Sequence, residues 1–542
     1  MNQTENRSSA LTSNPSYNEH KGIESLIPRP ASLNRNDGVF VICPETALVC
    51  DENSESAARA LNDAMLRVRG FALGSTPVPG RPTVTISINA GDPPHGNEGY
   101  RLDVTPARIT ITASHPAGAF YAVQTLLQLL PAEIFSSCRV DGIEWRVPCV
   151  EIEDLPRFAW RGLMLDTARH FFTVSEIKRF LDQMVLHKFN VFHWHLVDDQ
   201  GWRLEIRKYP RLTEVGSHRA ESPAHVEMQG KEGDGMPYHG HYTQDEVREL
   251  VRYAQERFVT IVPEIEMPGH AAAAITAYPW LGNEDIPDFR PNVATSWGMK
   301  LFTFSPKEET FHFLENVLLE VMELFPSQRI HIGGDEAAKD QWKQSPSAQL
   351  IMKEHGLADE EHLQSWFLSR IQTFLHRHGR TMIGWDEIQE GGLAPGAVMM
   401  AWRSWTKWAK VALEAGNDVV MSPVSHCYFD HYQGPAESEP KALGDYLPLE
   451  KVYELDPMTE ASSAATGNVL GVQGNLWTEA IPDVNLLDYM AYPRACALAE
   501  VAWSPAASRN WEDFNRRLNV HKSRLDLMGV SYRPLSSCPP WK

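Results

Sequence analysis

The chain has 542 residues, enough for two or three domains, and 43% of them are hydrophobic, an ordinary share for a folded protein. Fifty basic residues against 70 acidic ones leave a net charge of −20. That balance excludes a protein that tracks nucleic-acid phosphates or docks on anionic membranes, and it suits a neutral partner such as a sugar. Seven cysteines without Cys-x-x-Cys spacing give no zinc or redox motif, so free thiols are expected, although a hairpin would bring Cys138 and Cys149 together.

Residues 1–25 read as a disordered tail. The stretch 1–20 is polar and lacks the basic-then-apolar pattern of a signal peptide. The expected location is the cytoplasm, or a secreted or periplasmic one if a leader has been removed. No apolar run approaches the length of a membrane span. Residues 26–155 are expected to form a small α+β domain: 81–89 and 100–114 alternate apolar and polar residues as strands do, and 54–69 and 117–130 have helical periodicity.

From 156 to 510 short apolar strands alternate with amphipathic helices. Strand candidates fall at 161–166, 190–196, 259–265, 329–334, 381–385, 397–402, 418–422 and 469–475. Eight such units predict a (β/α)8 barrel, an α/β fold, preceded by the small domain. An open doubly wound sheet would need a Gly-rich phosphate loop after an early strand, and none is present. Thr173-Val174-Ser175-Glu176 and Thr243-Gln244-Asp245-Glu246 fit the capping box and mark two helix starts. Residues 511–542 are expected to be a closing helix, 511–528, and a tail packed on the barrel. Polar and aromatic residues recur just after the strand candidates, which in a (β/α)8 barrel is the active-site face.

The most telling run is His331-Ile332-Gly333-Gly334-Asp335-Glu336. Two carboxylates at the end of an apolar segment reach one pocket, where both cannot ionise cheaply, and glycoside hydrolysis needs a proton donor beside a group that stays charged. Gly-Gly-Asp is also good turn chemistry. Gly-Gly-Asp-Glu occurs in nucleotide-cyclising domains too, but there Phe follows, and here Ala337 does.

Six motifs occur in an order that resembles the β-N-acetylhexosaminidases of glycoside hydrolase family 20. They are Arg161-Gly162-Leu163-Met164-Leu165-Asp166-Thr167-Ala168-Arg169-His170, Phe192-His193-Trp194-His195-Leu196-Val197-Asp198-Asp199-Gln200-Gly201-Trp202-Arg203, Pro263-Glu264-Ile265-Glu266-Met267-Pro268-Gly269-His270, the Gly-Gly-Asp-Glu run, Gly384-Trp385-Asp386-Glu387, and Gly474-Asn475-Leu476-Trp477-Thr478-Glu479. The resemblance implies an exo-acting, retaining enzyme that removes terminal β-linked GlcNAc or GalNAc. In that family the substrate's 2-acetamido oxygen is the nucleophile and closes an oxazolinium intermediate.

Carried onto this sequence, the family pattern makes Glu336 the general acid/base. Asp335 orients the acetamide and balances the developing charge, and Tyr428 donates its hydroxyl to the acetamide oxygen. Asp198 and His270 form a hydrogen-bonded relay behind the acid. Trp385, Trp402 and Trp477 box the acetamido methyl, and Arg169, Asp430 and Glu479 hold sugar hydroxyls. His193 and His195 alternate on one strand face as metal ligands do, but the family uses no catalytic metal, and neither metal nor cofactor is expected. The expected partner is a small-molecule or oligosaccharide substrate ending in β-HexNAc, with neither nucleic acid nor a membrane span, and a homodimer is left open. A catalytically silent sugar binder on the same barrel is the alternative of another class, and intact Asp335, Glu336 and Tyr428 speak against it. Release of a disaccharide, or transfer instead of hydrolysis, is a related alternative set by loops such as 221–241 and 431–466.

Overall fold

The computed structural model describes residues 22–89, 96–224, 232–403, 405–459 and 465–535, without the side chains of 405 and 406. Most of the expected tail, 1–21, and Cys538 lie outside the described residues, as do parts of both specificity loops. The chain divides into two units, Met1–Leu155 with Glu512–Gly529, and Pro156–Trp511 with Val530–Lys542.

The first unit is a mixed six-stranded sheet in the order Ser32–Ile42, Trp145–Asp154, Tyr100–Val104, Arg108–Ala113, Thr83–Ile88, Ala47–Cys50. Helices Glu55–Arg69 and Pro116–Leu129 lie where the sequence predicts them. The single strand expected at 100–114 is two antiparallel strands. Pro106 has no N–H for a ladder, and the backbone of Thr105 and Arg108 closes a turn there (Thr105 N to Arg108 O, 2.9 Å). The closing helix, Trp511–Leu527, was expected on the barrel, but its buried arginines assign it to this unit. Arg517 Nη1 donates to Leu26 O at 2.8 Å and Arg524 Nη1 to Ser25 O at 3.0 Å. A guanidinium with no water needs such carbonyls, and they lie before the first strand.

The second unit is the (β/α)8 barrel. All eight expected strands form: β1 (Trp160–Asp166), β2 (Val191–His195), β3 (Thr260–Glu264), β4 (Arg329–His331), β5 (Thr381–Trp385), β6 (Val398–Ala401), β7 (Val419–Met421) and β8 (Val469–Leu476). They pair in parallel, and β8 pairs with β1 to close the ring. Side chains of a strand alternate between the barrel interior and the helices outside. The interior therefore packs Val191, Val262, Ile383, Val398, Met400 and Val420 into one apolar cluster. Two residues further along the same faces stand His193, Glu264 and Trp385, so the interior turns polar toward the strands' C-terminal ends. On the outer face of β2, Phe192 and Trp194 stack with ring centroids 5.7 Å apart. The six described cysteines are free thiols, and no helix among the described residues is long and apolar enough to cross a membrane.

Both predicted capping boxes are present. Thr173 and Thr243 each accept from the backbone N–H three residues on, and Glu176 and Glu246 return the bond. Thr173→Ala removes one reciprocal pair at the start of helix Val174–Leu186. The expected cost is about 0.5–2 kcal/mol, and hydrogen exchange should show faster exchange in the first turn of that helix and no change in its last.

Candidate active site

Every barrel strand delivers a site residue at or just beyond its C-terminal end. The side chains of Arg169, His270, Asp335, Glu336, Trp385, Trp402, Tyr428, Asp430, Trp477 and Glu479 line one cavity of about 270 Å³. The sequence scattered these residues over more than 300 positions, and closure of the ring brings them together. Asp198 does not line the cavity but stands behind His270, 2% exposed.

The backbone that carries the acidic pair is unusual. Gly333 and Gly334 have φ of +65° and +89°. A Cβ on Gly333 would fall 1.7 Å from Glu266 Oε2, and one on Gly334 would fall 2.6 Å from Ile388 Cγ2. Glycine is therefore required twice, by conformation and by space. Glu336 (φ +45°) and His270 (φ +47°) share the left-handed region without that excuse. Such conformations cost on the order of 1–3 kcal/mol each and persist where surrounding structure enforces them, commonly at functional sites.

His270 links the acidic pair to the interior. Its Nε2 lies 3.7 Å from both Asp335 Oδ2 and Glu336 Oε2, and its Nδ1 lies 3.2 Å from both Asp198 Oδ1 and Asp199 Oδ2. The expected Asp198–His270 pair is thus a three-membered group that includes Asp199. Burial works against charge on the imidazole, but Asp198, Asp199 and Asp335 hold its pKa well above the usual histidine range. Asp198 is also buried, and Arg169 and His270 hold its carboxyl below the usual range. Arg169 is deeply engaged: Nη2 reaches Asp198 at 2.8 Å, Nη1 reaches Asp166 at 3.3 Å, and Nε donates to Gln200 at 3.0 Å.

Asp335 behaves in the opposite way to Asp198. Burial, together with the nearby carboxylates of Glu264 and Glu336, raises it to about 6 against the pull of His270. Glu336 is the exposed partner, its side chain 45% accessible. Burial likewise raises Asp430, next to Glu479, and raises Glu479 despite Arg169. Asp335 Oδ1, Asp430 Oδ1 and Glu479 Oε2 are buried and have no hydrogen-bond partner among the described residues. Buried acceptors of this kind cost roughly 1–3 kcal/mol each until a donor meets them.

The aromatic walls are in contact. Trp402 stacks on Tyr428, with centroids 5.9 Å apart and planes 22° apart, and Trp385 lies 5.8 Å from Trp477. Trp402 donates its indole N–H to Glu387 at 2.9 Å. Glu387 was quoted in a motif but given no role. Burial beside Asp335 and Asp386 raises it to about 8. Glu264 was missed in the same way, and its signal was register: it stands two residues after inward-facing Val262. The alternating histidines do face inward, but each contacts carboxylates directly. His193 Nε2 is 2.9 Å from Glu264 and His195 Nδ1 is 3.2 Å from Asp166.

A (β/α)8 barrel with carboxyls, unpaired buried acceptors and a tryptophan-lined cavity at its C-terminal mouth is the layout of a carbohydrate-active enzyme. The sequence matches the family models "Glycosyl hydrolase family 20, catalytic domain" over residues 158–506 and "Glycosyl hydrolase family 20, domain 2" over 24–155. It is 43% identical to a beta-hexosaminidase of Porphyromonas gingivalis, over 97% of this chain and 66% of the relative's own length. It is 36% identical to one of Akkermansia muciniphila, over 78% of this chain and 83% of the relative. Among solved structures, the GH20 β-N-acetylhexosaminidase of Streptomyces coelicolor superposes with a TM-score of 0.80 at 33% identity, covering 96% of this chain and 99% of that one. The exo β-N-acetylglucosaminidase of Vibrio harveyi, solved with N-acetylglucosamine, gives 0.82 at 32% identity, covering 95% and 78%. The chain belongs to glycosyl hydrolase family 20.

The position of Asp335 has a consequence for stability. Its folded pKa of about 6 stands above the ordinary 3.8, so the native state holds this proton more tightly than the unfolded chain does. The group therefore favours the fold below pH 3.8, and that contribution is lost as pH rises through about 6. Asp335→Asn should gain stability relative to the parent across this window and hold a constant difference above it. Paired thermal melts from pH 4 to pH 8 should show the difference growing and then levelling; a difference independent of pH would contradict the assignment.

Proposed function

We propose that this family 20 barrel works as an exo-acting, retaining β-N-acetylhexosaminidase that cleaves terminal β-linked GlcNAc or GalNAc by substrate assistance. The observation that carries the reading is the set of three unpaired buried carboxylate oxygens, on Asp335, Asp430 and Glu479, around a tryptophan-walled cavity. One acetamido sugar supplies what they lack: an amide N–H for Asp335 and hydroxyls for Asp430 and Glu479. The cavity is slightly smaller than the roughly 300–1,000 Å³ typical of drug-sized ligands, which fits one terminal sugar and hence exo action. The beta-hexosaminidase names of the relatives and the GlcNAc held by the Vibrio harveyi structure support the same substrate class.

The proposed sequence of events follows from the placement of the groups. Trp385, Trp402 and Trp477 enclose the acetamido methyl and exclude water. Asp335 accepts the amide N–H and Tyr428 donates to the amide oxygen, holding that oxygen at the anomeric carbon. Glu336 protonates the glycosidic oxygen as the acetamide attacks, and the Asp335 anion faces the oxazolinium charge that results. Glu336 then takes a proton from the incoming water, which opens the ring with net retention. His270, within 3.7 Å of both carboxyls, couples them to Asp198 and Asp199.

Two outcomes test this. On a panel of aryl β-glycosides, the 2-acetamido gluco and galacto substrates should be cleaved, and the plain β-glucoside and β-galactoside should be very poor; comparable turnover of the plain glucoside would sink the mechanism. Glu336→Gln keeps the shape but supplies no proton. Its kcat/KM should fall about 10²–10⁴-fold for poor leaving groups and less for activated aryl groups. Equal loss on both would assign Glu336 another role.

A further inference from the structure

Glu264 takes no part in the steps above, yet it sits against one of the walls they depend on. It ends strand β3 and is fully buried. Its Oε1 accepts the indole N–H of Trp385 at 2.8 Å and lies 2.7 Å from His331 Nδ1, and its Oε2 lies 2.9 Å from His193 Nε2. Three nitrogens from strands β2, β4 and β5 thus converge on one carboxylate. The two imidazoles also pack on the indole itself: His331 meets it at 5.1 Å and 63°, and His193 at 5.9 Å and 40°. Gln473 Nε2 lies 2.9 Å from His193 Nδ1 and extends the network to β8. Since an amide N–H only donates, Nδ1 is the acceptor, and the imidazole proton is left on Nε2, toward Glu264.

Trp385 is packed in the barrel's apolar cluster, so packing sets its χ1, while the plane of the indole about χ2 has the broader well of an sp³–sp² torsion. A charge-assisted bond donated to a dry carboxylate fixes that remaining angle, because the indole has a single polar handle. We propose that Glu264 is a positioning residue for Trp385 and, through it, sets the size of 2-acyl group that the cavity accepts. This rests on reading the cavity as a 2-acetamido sugar site. A bare packing role, in which Glu264 only ties β2, β3, β4 and β5 together, predicts loss of stability without any change in acyl preference.

The experiment compares kcat and KM for aryl β-glycosides of 2-acetamido, 2-propionamido and 2-butyramido glucose in three variants. Glu264→Gln keeps an acceptor of the same reach and should retain the parental ratio of N-acetyl to N-propionyl turnover. Glu264→Leu removes the acceptor. Its kcat/KM for the N-acetyl substrate should fall on the order of 10²-fold, as expected for a reacting group displaced by about an ångström. The fall should lie mainly in kcat and be much smaller for the larger acyl groups, so that the ratio collapses. Trp385→Phe removes the N–H and also thins the wall, so the same collapse is expected, and its absence keeps the proposal open to refutation if Glu264→Leu does not fold. An unchanged acyl ratio in folded Glu264→Leu, or in Trp385→Phe, overturns the proposal, as does a parent protein indifferent to acyl size. A parent that cleaves no 2-acetamido glycoside would instead overturn the functional reading, and the two failures are distinct.

Discussion

Asp198 is the residue on which the charges of this barrel mouth depend. It is 2% exposed and touches two cationic groups, Arg169 at 2.8 Å and His270 at 3.2 Å. A buried cation without a partner is untenable, and a buried anion between two of them is not. Arg169 lies in turn against Asp166, and His270 against Asp199 and the Asp335–Glu336 pair. The result is a line of alternating charge from the wall of the barrel to the cavity. Taking Asp198 away would leave Arg169 with Asp166, and His270 with Asp199, as the remaining buried anions beside them. The arrangement is expensive to assemble and is held by its own neighbours rather than by water.

Backbone geometry does the complementary work. The two carboxyls reach one pocket because the chain after β4 passes through three left-handed residues, Gly333, Gly334 and, beyond Asp335, Glu336. The space opened by the missing Cβ of Gly333 is filled by Glu266. Burial next to Asp335 and Glu264 pushes Glu266 well above the usual carboxylate range. A charge there raises the cost of ionising Asp335.

The fold was legible because its signals are local and repeated. β-branched runs, two capping boxes and aromatic or charged residues after each strand all point to one architecture, and eight of eight barrel strands formed where the pattern placed them. Misreadings came where a single residue overrides a pattern, as Pro106 does in the 100–114 segment, or where a contact is remote in sequence, as for Arg517 and Arg524 of the closing helix. The residues that line the cavity could be named from the sequence, but their partners could not. Nothing in Asp198-Asp199 says that both carboxylates serve one imidazole. Nothing in Pro-Glu-Ile-Glu says that the first glutamate holds a tryptophan 121 positions away while the second fills the space left by a glycine. Such pairings depend on barrel closure and on which way a strand end twists.

Two carboxylates on opposite sides of one imidazole, Asp198 and Asp335, are driven apart. Asp198 is held down by Arg169 and His270, while Asp335, which has His270 but no guanidinium and has Glu336 and Glu264 nearby, rises to about 6. Burial is common to both, so the difference is made by Arg169 on one side and by the Glu264 and Glu336 carboxylates on the other. His270 between them is anchored at 3.2 Å to the carboxyl that is held down and faces, at 3.7 Å, the carboxyl that is raised. Proposed chemistry that builds a cation beside Asp335 then needs no proton removed from the Asp198 side. In the proposed mechanism the oxazolinium charge favours ionised Asp335, and His270, 3.7 Å away, already lowers the cost of that ionisation. Arg169, three strands away from the acidic pair, and the carboxylates beside Asp335 thus together set which of the buried carboxyls is free to respond.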